Sequence, residues 1–236
     1  MDPQQRAIAA EFDKYHNDYD SAVNKAIAFS GKTVDAFTRA KAEDLQRQIA
    51  RHFPEPSQLS ILDVGCGVGN YHPLIADGVG SLHGVDISTA CIERARERNP
   101  TVGYDVYDGS RLPYEDDRFD VAFCVCVMHH VPPPQWPAFA AELRRVLRLG
   151  GLVTVYEHSA WHPLTRRVVS NCEFDRDAVL IPMQRMRQLL GEAGFETVTC
   201  QSILSLPPGG TIARRMNEAL SSLPFGTQYR ATGLKK

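Results

Sequence analysis

Residues suited to hold a nucleoside follow two short apolar runs in the first half of the chain. The first run, over 59–64, contains Asp63 and leads into a glycine-rich stretch over residues 65–70. Glycine permits tight turns and lets a ligand approach the backbone closely, because it has no Cβ. Backbone N–H groups at the start of a following helix favour a negatively charged group, either a carboxylate or a phosphate. This segment therefore predicts a loop that binds an anionic part of a ligand.

A second acidic residue, Asp86, follows the next apolar run, about twenty positions beyond the first glycine. A carboxylate there can accept hydrogen bonds from both hydroxyls of a ribose. A dinucleotide fingerprint would need a third glycine where this chain has Asn70, and its strand would normally be apolar at Asp63. Asp63 can instead hold the ammonium group of an amino acid. The pattern therefore favours a nucleoside joined to an amino acid over one joined to a pyrophosphate.

The elements that must position these residues are strands alternating with helices. Short apolar runs separated by helical segments indicate a parallel sheet buried on both faces. Right-handed crossovers then give a doubly wound, Rossmann-like α/β fold, with ligands at the carboxyl ends of the strands. A last apolar stretch over 226–234 predicts a seventh strand that returns as an antiparallel edge. The other predicted strands are 59–64, 81–85, 102–107, 121–127, 152–156 and 197–204, with helices over 71–76, 89–98, 135–149, 182–193 and 211–220.

The first 56 residues have helical periodicity and predict a helical lid, residues 1–56, on a core that spans 57–236. The predicted helices cover 7–28 and 34–49, and Pro54 and Pro56 end the segment. Tyr15 and Tyr19 lie four apart and share a helix face, so they could close over a ligand and exclude water. A plain amphipathic helix packed on the sheet explains the same pattern equally well.

The composition of the chain limits the kinds of partner that it is expected to bind. Its 236 residues have a net charge of −2, which gives no general attraction to nucleic acid or to anionic lipid. No apolar run approaches the roughly 20 residues of a membrane span. The six cysteines include no C-x-x-C pair, which predicts reduced thiols, no metal site and a cytoplasmic location. A small molecule is the expected partner, with neither nucleic acid nor membrane.

In this order, the motifs resemble those of the class I S-adenosylmethionine-dependent methyltransferases, in the group whose acceptors are mostly small molecules. The resemblance runs from about residue 59 to residue 195, with Leu149 where the family more usually has proline. It implies S-adenosylmethionine as cofactor and S-adenosylhomocysteine as product. The loop would hold the methionine part, Asp86 the ribose, and the segment over 107–110 the adenine. The cofactor residues that it implies are Tyr19, Asp63, Gly65, Cys66, Gly67, Asn70, Asp86, Ile87, Asp108, Gly109, Ser110 and Cys124.

Methyl transfer from a sulfonium is an in-line attack on an already activated carbon, so the chemistry requires positioning of the two reactants and no metal. A base is needed only where the acceptor must lose a proton. His129 follows the fourth strand and His158 the fifth, and histidine can accept a proton near neutral pH. We therefore predict both as catalytic residues, although packing at a strand end explains such histidines too. The long connection over 159–180 is expected to shape the acceptor pocket, with Trp161 able to stack on a planar acceptor.

The preferred interpretation is a methyltransferase that acts on oxygen, nitrogen or carbon of a small organic molecule, in secondary metabolism. Two alternatives keep the fold: a catalytically idle S-adenosylmethionine-binding partner protein, and an NAD-dependent oxidoreductase, which Asn70 and Asp63 disfavour. A nucleic-acid methyltransferase would more often carry an appended basic domain or an N/D-P-P-Y/F signature, and the chain shows neither.

Overall fold

The computed structural model describes residues 3–15, 24, 25, 27, 31–172, 175 and 178–236. Seven strands form one sheet in the order β3-β2-β1-β4-β5-β7-β6. The strands are β1 Ser60–Val64, β2 Ser81–Asp86, β3 Gly103–Val106, β4 Phe119–Val125, β5 Leu147–His158, β6 Phe195–Ile203 and β7 Gln228–Lys235. Strands β1 to β5 pair in parallel, while β7 pairs antiparallel with both β5 and β6. The predicted Rossmann-like, mostly parallel sheet with an antiparallel last strand is confirmed.

The predicted edge position of the last strand is wrong. Strand β7 lies between β5 and β6, and β6 forms the edge. Burial explains the order, because almost every residue of β7 is buried, whereas most residues of β6 are exposed or only half-buried. A strand covered on both faces and paired on both sides suits an interior position, and a partly solvated strand suits an edge.

The helices are α1 Pro3–Tyr15, α2 Val34–His52, α3 His72–Ile75, α4 Thr89–Arg98, α5 Trp136–Val146, α6 Pro163–Asn171, α7 Met183–Glu192 and α8 Thr211–Ala219. The helix predicted over 135–149 ends early, because Leu147 already pairs with Phe119 of β4. Gly150 then has a φ of +80°, a left-handed conformation that turns the chain into the long part of β5. Among the described residues, no helix combines the length and apolar character needed to cross a membrane.

Both faces of the sheet are buried, as a doubly wound fold requires. Successive strand residues point to opposite faces, so Leu62 and Val64 pack with α5 and α7, while Ile61 packs with α2 and α4. The strand ends are thereby held rigidly, and the loops that follow them can be positioned accurately.

The N-terminal helices are joined to the sheet by buried polar contacts. Asp44 of α2 accepts hydrogen bonds from the Arg230 guanidinium, at 2.7 Å to each carboxylate oxygen, and from the Tyr156 hydroxyl at 2.8 Å. Asp13 of α1 accepts a hydrogen bond from the Ser88 hydroxyl at 2.5 Å. These contacts hold both helices near the carboxyl ends of β2 and β5. The division into a lid over 1–56 and a core over 57–236 stays a prediction.

Candidate cofactor and acceptor site

A cavity of about 350 Å³ opens at the carboxyl ends of β1, β2, β4 and β5. The strand-end loops form one part of its wall, and α1, α2 and α6 form another. Cofactor residues predicted from the sequence that line it are Asp63, Gly65, Cys66, Gly67, Asn70, Asp86, Ile87 and Gly109. Both histidines predicted as bases, His129 and His158, line it as well.

The loop after β1 needs its glycines for two different reasons. Gly65 has a φ of +75°, and a Cβ there would lie 2.5 Å from a methyl carbon of Val127, so any side chain would clash. Gly67 has a φ of +52°, and a Cβ there would meet no atom within 4 Å. The space beside Gly67 is thus open, and Gly67 lines the cavity, as a loop that receives a ligand against its backbone requires. These observations fit the methionine part of S-adenosylmethionine.

Asp86 supports this loop and also faces the cavity. Its carboxylate accepts hydrogen bonds from the Gly67 N–H at 2.8 Å and from the Ser88 N–H at 2.9 Å. Burial raises the pKa of Asp86 to about 6, against the lowering effect of these backbone donors. The carboxylate is therefore partly desolvated and strengthened as a hydrogen-bond acceptor for ribose hydroxyls.

Asp63 lies at the end of β1 in a buried chain of polar groups. The His72 Nε2 lies 3.0 Å from the Asp63 Oδ2, and the His72 Nδ1 lies 2.5 Å from the Tyr104 hydroxyl. Burial raises the pKa of Asp63, and His72 opposes that effect. Asp63 reaches the cavity from this chain, which suits an acidic group that holds an ammonium ion directly or through water.

Three predicted cofactor residues in the described part of the chain, Asp108, Ser110 and Cys124, do not line the cavity. Asp108 is exposed and folds back on the chain, where it accepts hydrogen bonds from the Ser110 N–H at 2.9 Å and the Ser110 hydroxyl at 2.6 Å. Cys124 is fully buried in the hydrophobic core. Tyr19 lies outside the described residues. Their roles toward a cofactor stay predictions, and for Asp108, Ser110 and Cys124 the geometry places the side chain elsewhere.

Two buried carboxylates surround the histidines that follow β4. The His129 Nδ1 lies 2.6 Å from the Glu157 Oε2. The Asp175 Oδ1 lies 3.5 Å from the His129 Nε2 and 3.3 Å from the His130 Nε2. Although burial opposes it, the charges of Glu157 and Asp175 raise the pKa of His129 well above its usual value. In the absence of other ligands, His129 therefore keeps its proton.

A second polar group beside these histidines was missed by sequence reasoning. The Lys41 ammonium of α2 lies 4.0 Å from the Cys126 Sγ. Burial would raise the pKa of the Cys126 thiol, but Lys41 and His158 lower it to about 7. Cys126 has a φ of +58°, which turns the chain at the end of β4 toward the cavity. No sequence signal marked this conformation, and Lys41 lies 85 positions away in the chain.

The connection after β5 contributes Leu164, Thr165 and Val168 of α6 to the cavity wall. Trp161, which we expected to stack on an acceptor, is 79% exposed and does not line the cavity. From Trp161 into α6 most residues are exposed, but Thr165 and Val169 are buried and His162 and Val168 are half-buried, so this helix packs on the rest of the chain through one face.

The chain is similar to known proteins both in sequence and in fold. A family model described as a methyltransferase domain matches residues 61–151. A Synechocystis sp. protein named 2-methyl-6-phytyl-1,4-hydroquinone methyltransferase is 36% identical over 104 residues, covering 42% of this chain and 32% of that protein. A Bos taurus protein named "Probable tRNA methyltransferase 9B" is 31% identical over 189 residues, covering 79% of this chain and 37% of that protein.

A solved structure from Thermotoga maritima, described as a SAM-dependent methyltransferase, has the same fold. It superposes with a TM-score of 0.69 over 97% of this chain and 100% of the other, at 21% identity. The fold and site thus define a Rossmann-like α/β protein with a glycine-rich loop at the ligand edge of its sheet. Residues 61–151 therefore match a methyltransferase domain, and the chain as a whole has the fold of a solved S-adenosylmethionine-dependent methyltransferase. It spans about a third of the length of the two relatives named above.

Proposed function

We propose that this protein transfers the methyl group of S-adenosylmethionine to a small, largely apolar organic acceptor. One observation carries the proposal: a single cavity contains both the cofactor loop and a compartment walled by apolar side chains next to titratable groups. Pockets of this kind bind small molecules through apolar contact and orient them through a few polar groups.

The apolar compartment is built by the N-terminal helices, α6 and the end of β6. Its residues include Phe12, Phe37, Leu164, Val168 and Leu204. An acceptor with aromatic or aliphatic parts would bury them there and leave its reacting atom beside the histidines. The Synechocystis relative is named for a phytyl hydroquinone, which is an acceptor of that chemistry. The finer assignment to secondary metabolism rests on the sequence resemblance.

Positioning supplies most of the catalysis in this proposal. The Gly67 backbone and Asp86 hold the donor, and the apolar wall holds the acceptor in line with the methyl group. Such enforced geometry can lower a barrier by ~7–11 kcal/mol. S-adenosylmethionine, when bound, supplies the activated methyl group.

A proton must also leave where the methylated atom is a hydroxyl oxygen, an amine nitrogen or an acidic carbon. We assign that proton to His158, because its ring lines the cavity and lies 5.2 Å from the His129 ring, centre to centre. His129 is less suited in the absence of other ligands, since Glu157 and Asp175 already hold a proton on it. In this proposal His129 positions the neighbouring groups and does not accept the proton.

Isotope transfer tests the proposed function. The protein is incubated with methyl-labelled S-adenosylmethionine and cell extract, and the label is measured in the organic-solvent extract, in RNA and in protein. We expect label in the organic extract, and much less of it after Asp86→Ala at the same cofactor concentration. Label in RNA alone would refute the small-molecule acceptor, and the bovine relative makes that arm necessary. Tight cofactor binding with no labelled product in any fraction would instead indicate an idle binding protein.

The base assignment needs its own pair of variants. His158→Ala should lower kcat by 10²- to 10⁴-fold, the usual contribution of a positioned base. His52→Ala is the matched control, because His52 is exposed on α2 and does not line the cavity. S-adenosylhomocysteine affinity should stay within about twofold of wild type in both variants. An unchanged kcat in His158→Ala would remove His158 from the mechanism.

A further inference from the structure

Three ligand-type atoms converge in the wall of the cavity, on the side of the acceptor compartment. They belong to His129, His130 and Asp175, and all lie within 4.8 Å of one another. The Asp175 Oδ1 lies 3.5 Å from the His129 Nε2 and 3.3 Å from the His130 Nε2. Atoms bound to one tetrahedral metal ion at ~2.1 Å are about 3.4 Å apart. Two of the three spacings are therefore those of ligands to a single ion, and the third, between the two histidine nitrogens, is within 4.8 Å.

A second, independent observation concerns the His129 ring. Its Nε2 is buried and makes no hydrogen bond within the part of the chain that the structure describes, and the residue is 1% exposed. The Asp175 Oδ1 at 3.5 Å is too distant for a good hydrogen bond, so this nitrogen has lost its contact with water without a close replacement. This nitrogen is directed at the same point as the His130 Nε2 and Asp175.

Glu157 completes the arrangement from behind His129. The Glu157 Oε2 lies 2.6 Å from the His129 Nδ1, which fixes the ring and leaves Nε2 for another partner. Histidines that bind metals almost always donate their other ring N–H to a carboxylate or carbonyl in this way. The charges also match: two neutral imidazoles, two carboxylates and one divalent cation sum to zero, which suits a buried site.

We propose that His129, His130 and Asp175 bind one divalent transition-metal ion of the zinc type, and that its open coordination position faces the cavity. Two imidazoles and one carboxylate form a donor set that suits Zn²⁺ and related ions and leaves room for an exchangeable ligand. The sequence predicted no metal, because two of the three ligands are adjacent histidines and Asp175 lies 45 or more positions further on.

The open position has a consequence for the acceptor, which rests on the proposed function. A hydroxyl oxygen bound to the ion would become more acidic, as metal-bound water does. Its proton could then pass to His158 or to water. Binding of the ion itself requires neither S-adenosylmethionine nor an acceptor, so it can be tested separately.

Titration of the metal alone tests the site. The full chain is freed of metals with a chelator and titrated with Zn²⁺ by calorimetry, and with Co²⁺ by visible absorption, since tetrahedral Co²⁺ absorbs strongly. We expect about one ion per chain, and no sulfur-to-cobalt charge-transfer band, because no cysteine is a ligand.

Three variants make the result decisive. His130→Gln and Asp175→Asn should each weaken binding by 10-fold or more, while folding is monitored by circular dichroism. His158→Ala is the matched control, since it lines the same cavity outside the three ligands, and should bind the ion as wild type does. No saturable ion in the wild type, or equal affinity in all variants, would overturn the proposal. If the chain binds no metal but still forms labelled product, only the metal site is refuted. If the chain binds the metal but forms no labelled product, only the proposed function is refuted.

Discussion

Replacing Gly67 with alanine tests whether the loop after β1 receives the cofactor against its backbone. The chain offers a matched control in Gly150. Both glycines have a left-handed φ, +52° and +80°, and a Cβ at either would meet no atom within 4 Å. A left-handed conformation costs an ordinary residue ~1–2 kcal/mol. Both variants should therefore lose similar stability, without steric clash inside the protein.

The expected effects on binding differ, because only Gly67 lines the cavity. Its new methyl group would stand in the space that the methionine part of the cofactor must enter. We expect Gly67→Ala to weaken S-adenosylhomocysteine binding by tenfold or more, which is ~1.4 kcal/mol or more. Gly150 lies in the turn at the start of β5, so Gly150→Ala should bind within about twofold of wild type.

Calorimetry with S-adenosylhomocysteine and thermal melts of both variants provide the two measurements. A loss of ~1–2 kcal/mol in a domain of this size lowers Tm by roughly 2–8 °C. Wild-type affinity in Gly67→Ala would refute the placement of the cofactor. Equal loss of affinity in both variants would mean that the effect is general destabilisation and that the loop geometry is irrelevant.

Three further predictions concern charge. Asp86→Ala removes two charge-assisted hydrogen-bond acceptors, worth ~1.5–3 kcal/mol each. The affinity for S-adenosylhomocysteine, measured by calorimetry, should therefore fall at least tenfold. In the wild type, this affinity should also fall as the pH drops through about 6, because Asp86 gains a proton. Asp44→Ala should lower the free energy of unfolding, measured in urea, by ~3–5 kcal/mol, because it leaves the Arg230 charge buried and unpaired. Adding Arg230→Met to the same chain should restore part of the lost stability. Iodoacetamide at neutral pH should label Cys126 before the buried cysteines, as peptide mass spectrometry can show, and Lys41→Met should slow that labelling.

As the pH rises, ionisation of Asp86 has opposite effects on the stability of the fold and on cofactor binding. Burial raises its folded pKa from 3.8 to about 6, so the folded chain holds this proton more tightly than the unfolded chain. The contribution of Asp86 to stability is therefore greatest below the unfolded pKa and declines as the pH rises from about 4 to about 6. Asp86 thus favours the fold least at the pH where it favours the cofactor most.

The fold was predictable because its signals are local. Apolar runs of strand length alternate with helices, and Gly65 and Gly67 are required by left-handed turns that the spacing after β1 already indicates. The place of β7 in the sheet was not predictable in the same way. An apolar segment shows that a strand exists, but the order of strands depends on which edge is left uncovered once all the helices have packed.

The candidate site was predictable only where its residues directly follow strands. The pairing of Val125 with Tyr156 brings the ends of β4 and β5 side by side, and this alone makes His129 and Glu157 neighbours. The resemblance implies Cys124, yet Cys126 is the residue that lines the cavity, where a left-handed conformation follows the end of β4. No local pattern in the sequence indicates that conformation.

Asp175 shows where local reasoning stops. By position in the chain, Arg166 and Arg167 are charged groups near Asp175, yet its carboxylate lies against His129 and His130 instead. The reason is solvation, because an exposed arginine is well hydrated and gains little from an ion pair, while two mostly buried imidazoles gain much from a carboxylate. Buried partners of this kind are selected by the completed cavity, so a sequence can supply the residues of such a cluster without revealing that they meet.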